Sequence, residues 1–392
     1  MVKHRGCWLS ICNTFAVIKH NKLKSFAELG IGKKLINGLK ELSIVEPTEV
    51  QSTVIPLLLD QTTDLVVQAQ TGTGKTAAYG LPLLHGIDPN NPAVQALVLC
   101  PTRELGKQVA KQFFRFTKYT EKIFTEAVYG GEQIEKQINA LRRPTHIVVA
   151  TPGRLIDLAK RKAVDLKQVR TIVLDEADEM LSMGFKRELN EVLNLVSSAK
   201  AKWLFSATMP EEIQRIVERH LSENAHRIEI GGSNVLNEKI EHHYVVCEEY
   251  EKLEVLLQFF KAQHGQRGMV FCKTKGGAQK LAKQLASRNV PADAIHGDLL
   301  QKERDKVMRA FKNETLRILV ATDIAARGID IQDLGFVVHY NVADKLEYYT
   351  HRSGRTARAG KEGISMNLVG SSEMRQMRYI EKNLNLSFAK VK

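Results

Sequence analysis

Two short stretches carry residue types whose spacing suits phosphate chemistry. Ala69-Gln70-Thr71-Gly72-Thr73-Gly74-Lys75-Thr76 follows an apolar run and opens a segment of helical periodicity. Gly72 and Gly74 let the backbone point several N–H groups at phosphate oxygens. Lys75 adds a charge for the β and γ phosphates, Thr76 offers a hydroxyl to magnesium, and the following helix aims its positive end at the same place. Ala69 stands where the general pattern has its first glycine. The second stretch, Asp175-Glu176-Ala177-Asp178, closes the apolar run Thr171 to Leu174. There Asp175 can hold magnesium through its water shell, and Glu176 can orient and deprotonate an attacking water. Together the stretches predict binding and hydrolysis of ATP with Mg2+, with Thr71 to Thr76 as cradle and Lys75, Asp175 and Glu176 catalytic.

Such residues need rigid supports, and the chain supplies them as short Val/Ile/Leu-rich runs between segments of helical period, the pattern of buried parallel strands joined by crossover helices. One set reads Leu65 to Ala69, Ala96 to Cys100, Ile147 to Thr151, Thr171 to Leu174 and Lys202 to Phe205. The series then restarts with Gly268 to Cys272, Ala292 to Ile295, Ile318 to Thr322, Phe336 to Tyr340 and Ile364 to Val369. Between the sets lies Gly231-Gly232-Ser233-Asn234, a composition that suits a flexible linker. The expectation is an α/β protein of two domains, over 23–230 and 241–385, with an extension at 1–22, a linker at 231–240 and a tail at 386–392. The length of 392 residues agrees, since single domains rarely grow past about 250.

Composition narrows the partners. The 43% hydrophobic and 26% charged residues are those of a globular chain, and no apolar run reaches the roughly 18 residues that span a bilayer, so no membrane association is expected. Lys3 and Arg5 ahead of the patch Cys7 to Ile18 have some likeness to a leader, but Ser10, Asn13 and Thr14 interrupt it and no A-x-A site follows, so it is read as a frayed extension. Five cysteines without C-x-x-C spacing indicate neither a disulfide framework nor a zinc site and suit a reducing compartment. The net charge of +13 favours a polyanionic partner.

With Asp175-Glu176-Ala177-Asp178 as its core, the motif series resembles that of the DEAD-box ATP-dependent RNA helicases of superfamily 2, in the minimal bacterial form, from about Phe26 to beyond Gly360. That resemblance implies two tandem RecA-like domains, each a parallel sheet flanked by helices. Glu46-Pro47-Thr48 with Gln51 is similar to the family's adenine-reading motif, and Phe26, seventeen residues before Ser43, stands where the family stacks an aromatic on the base. Ser43 and Ile44 depart from the usual glycine and aromatic. Pro101-Thr102-Arg103, Gly130-Gly131 and Thr151-Pro152-Gly153-Arg154 resemble its contacts to the RNA backbone, as do Gln301, Arg304 and Thr322 in the second half, while Asp330 is placed near the ribose. Glu104, an acid beside phosphate contacts, is read as orienting Arg103 or a neighbouring loop.

His351-Arg352-Ser353-Gly354-Arg355-Thr356-Ala357-Arg358 resembles the motif whose arginines, here Arg355 and Arg358, reach the γ phosphate from the other domain. The resemblance also assigns the coupling of ATP state to strand separation to Ser206, Thr208, Asp178 and His351. It implies RNA-stimulated hydrolysis that unwinds short duplexes or remodels RNA–protein complexes by domain closure, in a monomeric cytoplasmic enzyme whose targets are chosen with protein partners. An ATP-gated clamp that grips RNA without unwinding uses the same residues and stays open, as does, with less support from the motifs, a DNA translocase. Three other features are read as structural: His242-His243 as solvent or strand-edge residues, His296 as a structural residue or an RNA neighbour, and Trp203 with Phe113-Phe114 as core.

Overall fold

The computed structural model describes residues 25–70, 72–231, 236–326, 329, 331, 334–357 and 361–391. Seven strands form the first sheet: β1 Leu65–Gln68, β2 Ala96–Leu99, β3 Thr125–Val128, β4 Ile147–Ala150, β5 Thr171–Leu174, β6 Ala201–Ser206 and β7 His226–Glu229. Seven more form the second: β8 Ile240–Val246, β9 Gly268–Phe271, β10 Ala292–Ile295, β11 Ile318–Ala321, β12 Phe336–His339, β13 Gly363–Val369 and β14 Ala389–Lys390. The sheet orders are β3-β4-β2-β5-β6-β1-β7 and β10-β11-β9-β12-β13-β8-β14. Subtracting seven from each label of the second gives the first, so one topology occurs twice.

All neighbouring strands run parallel, which requires crossover connections and buries both sheet faces. Alternation sorts each strand's side chains between the two faces. In the first sheet Leu65, Val67, Val98, Val149 and Phe205 join one apolar cluster, and Val66, Leu97, Leu99, Ile172 and Leu174 join the other.

The ten expected strands are all present, with four more. These are β3, β7 and β14, which lie at or close a sheet edge, and β8, where exposed and buried residues alternate. None has a continuous apolar run, because an edge or half-exposed strand needs none. β14 lies in the segment read as a tail and carries the buried Phe388 beside it. Among the described residues no helix is long and apolar enough to cross a membrane.

Four helices flank the first half of sheet one: α1 Lys33–Glu41, α2 Glu49–Asp60, α3 Lys75–His85 and α4 Arg103–Phe116. Trp203 and Phe113 are core residues, as expected, but Phe114 is 72% exposed. Successive residues on a helix point about 100° apart, so with Val109, Phe113 and Phe116 facing the sheet, Phe114 turns outward. A second correction concerns His242, which is buried and accepts or donates a 2.7 Å hydrogen bond at Nδ1 with the Tyr349 hydroxyl; burial pushes its pKa down to about 4. His243 pairs with Glu241 at 3.0 Å and His296 with Gln279 at 2.8 Å.

α1 crosses α4 at Gly38, where a Cβ would come within 2.4 Å of the Phe116 carbonyl oxygen. Backbone cannot move aside there as a side chain could. Gly38→Ala is expected to destabilise the first domain by about 1–3 kcal/mol, read as a lower urea midpoint, although alanine is the better helix former.

Candidate active site

The loop between β1 and α3 is fixed at both ends. Ala69 N–H donates to the Ser206 carbonyl (2.9 Å), and Gly74 caps α3. Gly72 and Gly74 have φ of 84° and 93°, the left-handed region in which an L side chain is strained. Lys75 is buried and donates from Nζ to the Ala69 carbonyl at 2.7 Å, and the Thr73 hydroxyl donates to Gln70 at 2.8 Å. Thr76 follows in the first turn of α3, and Thr71 lies outside the described residues.

Gln51 stands against this loop. Its Nε2 donates to the Gly74 carbonyl (3.1 Å), while Oε1 accepts from Thr48 N–H (3.0 Å) to close a capping box on α2. A Cβ at position 74 would meet Gln51 Nε2 at 2.4 Å, a second reason for glycine. Phe26 is 3% exposed and packs in the first domain's core cluster.

β5 ends at the acids. Asp175 is buried, its N–H donates to the Leu99 carbonyl (2.9 Å), and its Oδ2 accepts from the Tyr79 hydroxyl at 2.7 Å. Burial raises its pKa, with Lys75 and Tyr79 opposing. Glu176 has φ 53° and ψ 53° and caps the short helix Ala177–Ser182. A non-glycine residue held in this region is strained, and such strain clusters at functional sites. Its Oε2 is buried with no hydrogen-bond partner among the described residues. Burial, then Asp175 and Glu179, lift the Glu176 carboxyl to about 7, while Arg355 and Lys75 pull the other way. The result is a carboxylate with one oxygen free to take a proton.

The coupling residues are joined in one chain of contacts. Asp178 Oδ2 accepts from Thr208 N–H (2.9 Å) and hydroxyl (2.8 Å); Asp178 N–H donates to Ser206 Oγ (3.2 Å), which donates to the Thr208 carbonyl (2.7 Å). From the second domain, the His351 ring stands against Glu179 and lies 3.7 Å from Asp178 Oδ2. Arg355 is buried, donates to the Ile329 carbonyl (3.1 Å), and its charge is felt at Glu176. Arg358 and Asp330 lie outside the described residues.

The residues read as RNA contacts lie after strands of the two sheets, except Gln301 and Arg304, which open the helix Gln301–Lys312. Pro101 and Thr102 follow β2, and the Thr102 hydroxyl caps α4 by accepting from Leu105 N–H (3.3 Å). The Arg103 guanidinium covers Gly131, where a Cβ would meet Nη2 at 2.7 Å, whereas Gly130 and Gly153 have open space. Thr151 and Pro152 start the helix Pro152–Lys160, and Arg154 donates to Gln137 and to the Glu132 carbonyl, both at 3.0 Å. Thr322 is 8% exposed at the end of β11, and Gln301 donates to Asp305 at 2.6 Å. Arg304 donates to Ala325 (2.8 Å) and, across the domains, to Glu104 Oε1 (2.6 Å). Glu104 is therefore tied more closely to Arg304 than to Arg103, which lies 3.8 Å away.

Sequence reasoning missed Tyr79, Glu179 and the Glu104–Arg304 pair. Tyr79 lies one helical turn past Lys75, a spacing that puts both on one face of α3 and could have pointed to it. Its ring is fully buried beside Phe113 and Phe205, so Tyr79→Phe keeps the packing and removes one donor from Asp175. Phosphate release from ATP is expected to fall about tenfold, as losing a bond to a charged acceptor implies, with the thermal midpoint nearly unchanged.

Residues 48–216 match the family model described as DEAD/DEAH box helicase, and 251–360 match the helicase conserved C-terminal domain. The chain is 40% identical over 370 residues to the DEAD-box ATP-dependent RNA helicase CshA of Geobacillus kaustophilus, covering 94% of this chain and 79% of that protein. It is 42% identical to the ATP-dependent RNA helicase CshA of Listeria monocytogenes, covering 92% and 69%. Among solved structures it is similar to S. cerevisiae Dbp5 bound to RNA and ADP BeF3 (29% identity, TM-score 0.85, 94% and 95% covered) and to Mss116p bound to ssRNA and AMP-PNP (26%, 0.86, 96% and 81%). The duplicated RecA-like sheets, the phosphate loop and the acids at the end of β5 agree with these matches, and the chain belongs to the family of DEAD-box ATP-dependent RNA helicases.

Proposed function

We propose that RNA stimulates ATP hydrolysis by this helicase by drawing its two domains, joined by residues 231–240, around one composite site, and that this closure unwinds short duplexes or displaces bound proteins. The observation that carries the reading is the division of the site: Lys75, Asp175 and Glu176 stand beyond strand ends of the first sheet, while from the second domain His351 stands against Asp178 and Glu179 and the charge of Arg355 is felt at Glu176. ATP would lie with its phosphates on the loop from Thr71 to Thr76 and its base toward Gln51 and Phe26, the ribose approached by Asp330. RNA would run by its backbone over Pro101 to Arg103, Gly130-Gly131, Thr151 to Arg154, Gln301, Arg304 and Thr322, so that recognition depends little on sequence.

Magnesium fits the donors present. Thr76 and Asp175 offer hard oxygens, the donors that suit a magnesium ion held mainly by phosphates and water. When bound, it would neutralise charge on the phosphates. Glu176 would take the proton of the attacking water at Oε2, and Arg355, with Arg358, would face the charge that develops on the γ phosphate. Target choice by protein partners, a monomeric state and a cytoplasmic location are parts of the same proposal.

The test is ATP turnover with and without single-stranded RNA, beside release of the short strand from a duplex. Stimulation of about tenfold or more with strand release is expected; equal rates with and without RNA overturn the reading, and ATP-dependent retention without release turns it into a clamp. Glu176→Gln should lower turnover by about 10²–10⁴ while nucleotide still binds.

His351 adds a pH dependence. Burial alone would lower its pKa, but Glu179, Asp178 and Glu176 raise it above the ordinary 6.5 in the closed arrangement. The imidazolium contact is therefore complete below pH 6.5 and is lost as pH rises through the elevated value. Energy transfer between labels on the two domains, with ATP and RNA bound, should fall over that range and become flat in His351→Gln.

A further inference from the structure

Lys107, Lys111, Phe114 and Lys118 follow the spacing i, i+4, i+7, i+11, which places them in one sector of roughly 60° along α4 and just beyond it. All four are exposed, Phe114 at 72%, and Arg115 is exposed beside them. The face starts at the strand end assigned to RNA: α4 opens at Arg103, and Lys107 Nζ sits 5.0 Å from the ring centre of Tyr129, the residue before Gly130-Gly131. Its near acid, Glu104, is held by Arg304, and its far acid, Glu41, is held by Lys118 at 2.8 Å. Between them Lys107, Lys111 and Arg115 have no ion pair among the described residues.

We propose that this face of α4 is a track on which single-stranded RNA leaving the cleft continues, its phosphates on Lys107 and Lys111 and a base stacked on Phe114. The inference rests on the RNA reading above and adds a surface to it. Cations for the backbone with an interleaved aromatic for the bases is how single strands are held without sequence preference. From Lys107 to Phe114 the helix rises about 10 Å, the length of about three stacked nucleotides. A protein partner would meet a face of three unpaired cations around one ring, two of them lysines, whereas the centres of protein interfaces are depleted in lysine.

The test uses the full chain with a non-hydrolysable ATP analogue and single-stranded RNA of about six and about twenty nucleotides. The native chain should hold the long strand about tenfold more tightly. Lys107→Ala, Lys111→Ala and Phe114→Ala together should bring the long strand to the affinity of the short one, leave binding of the short strand and the turnover it stimulates within about twofold, and lower the salt slope by roughly 0.7 per lysine. Phe114→Trp should show emission quenched by the long strand and not by the short one. Unchanged long-strand affinity in the triple variant overturns the track and leaves the face to a protein, and emission indifferent to the long strand overturns it as well. Failure of the native chain to bind either strand is a different result, for it removes the RNA reading itself.

Discussion

Four carboxylates within five residues, Asp175, Glu176, Asp178 and Glu179, are packed where β5 ends, and three of them are less than 9% exposed. Carboxylates this close and this dry repel one another and lose their hydration, so they cannot all be charged unless cations and donors reach them. Each finds a different solution. Asp175 has Lys75 and the Tyr79 hydroxyl, Asp178 has the amide and hydroxyl of Thr208, and Glu179 has His351. Glu176 is the one left with a free oxygen, and its pKa rises to about 7. The loop that holds Lys75 and the placement of the helix Leu346–Ser353, which carries His351, both bear on how that acidic group is compensated.

Much of this was legible in the residues because the chemistry is contiguous. A glycine-rich loop must hold its lysine and threonine in adjacent positions, and Asp175-Glu176 must follow an apolar strand to stand at a sheet's end, so type and spacing pointed to both. Contacts between distant segments were not legible. The Tyr79 hydroxyl meets an acid 96 positions away, and Glu104 meets Arg304 across 200. No local period encodes which acid a helix face will reach. Phe114 misled for the opposite reason: two adjacent aromatics on an amphipathic helix read as one apolar unit, yet their directions differ by a quarter turn or more. Edge strands such as β7 and β14 were silent because water, and not a neighbouring layer, covers much of them.

The repeated topology explains which strand ends meet. Asp175 follows β5, and the helix that carries His351 follows β12, which holds the same place in the second sheet. Thr151 and Thr322 follow the matching strands β4 and β11. After β2 and β9, Thr102 and Thr274 cap their helices in the same manner, each hydroxyl accepting from the backbone N–H three residues on. The copies diverge sharply after their first strands. β1 leads into Gly72 and Gly74, whereas β8 leads into Cys247-Glu248-Glu249-Tyr250-Glu251, which has no glycine and adds negative charge.

That divergence sets a stoichiometry. A phosphate group would be repelled by the acidic turn after β8, so the described residues offer one cradle for two sheets of equal size. Under the proposed function each chain would bind one nucleotide between its two sheets, with no second glycine-rich cradle among the described residues. The duplicated architecture is thus electrically lopsided: the second sheet repeats the strand order of the first without its attraction for phosphate after the opening strand.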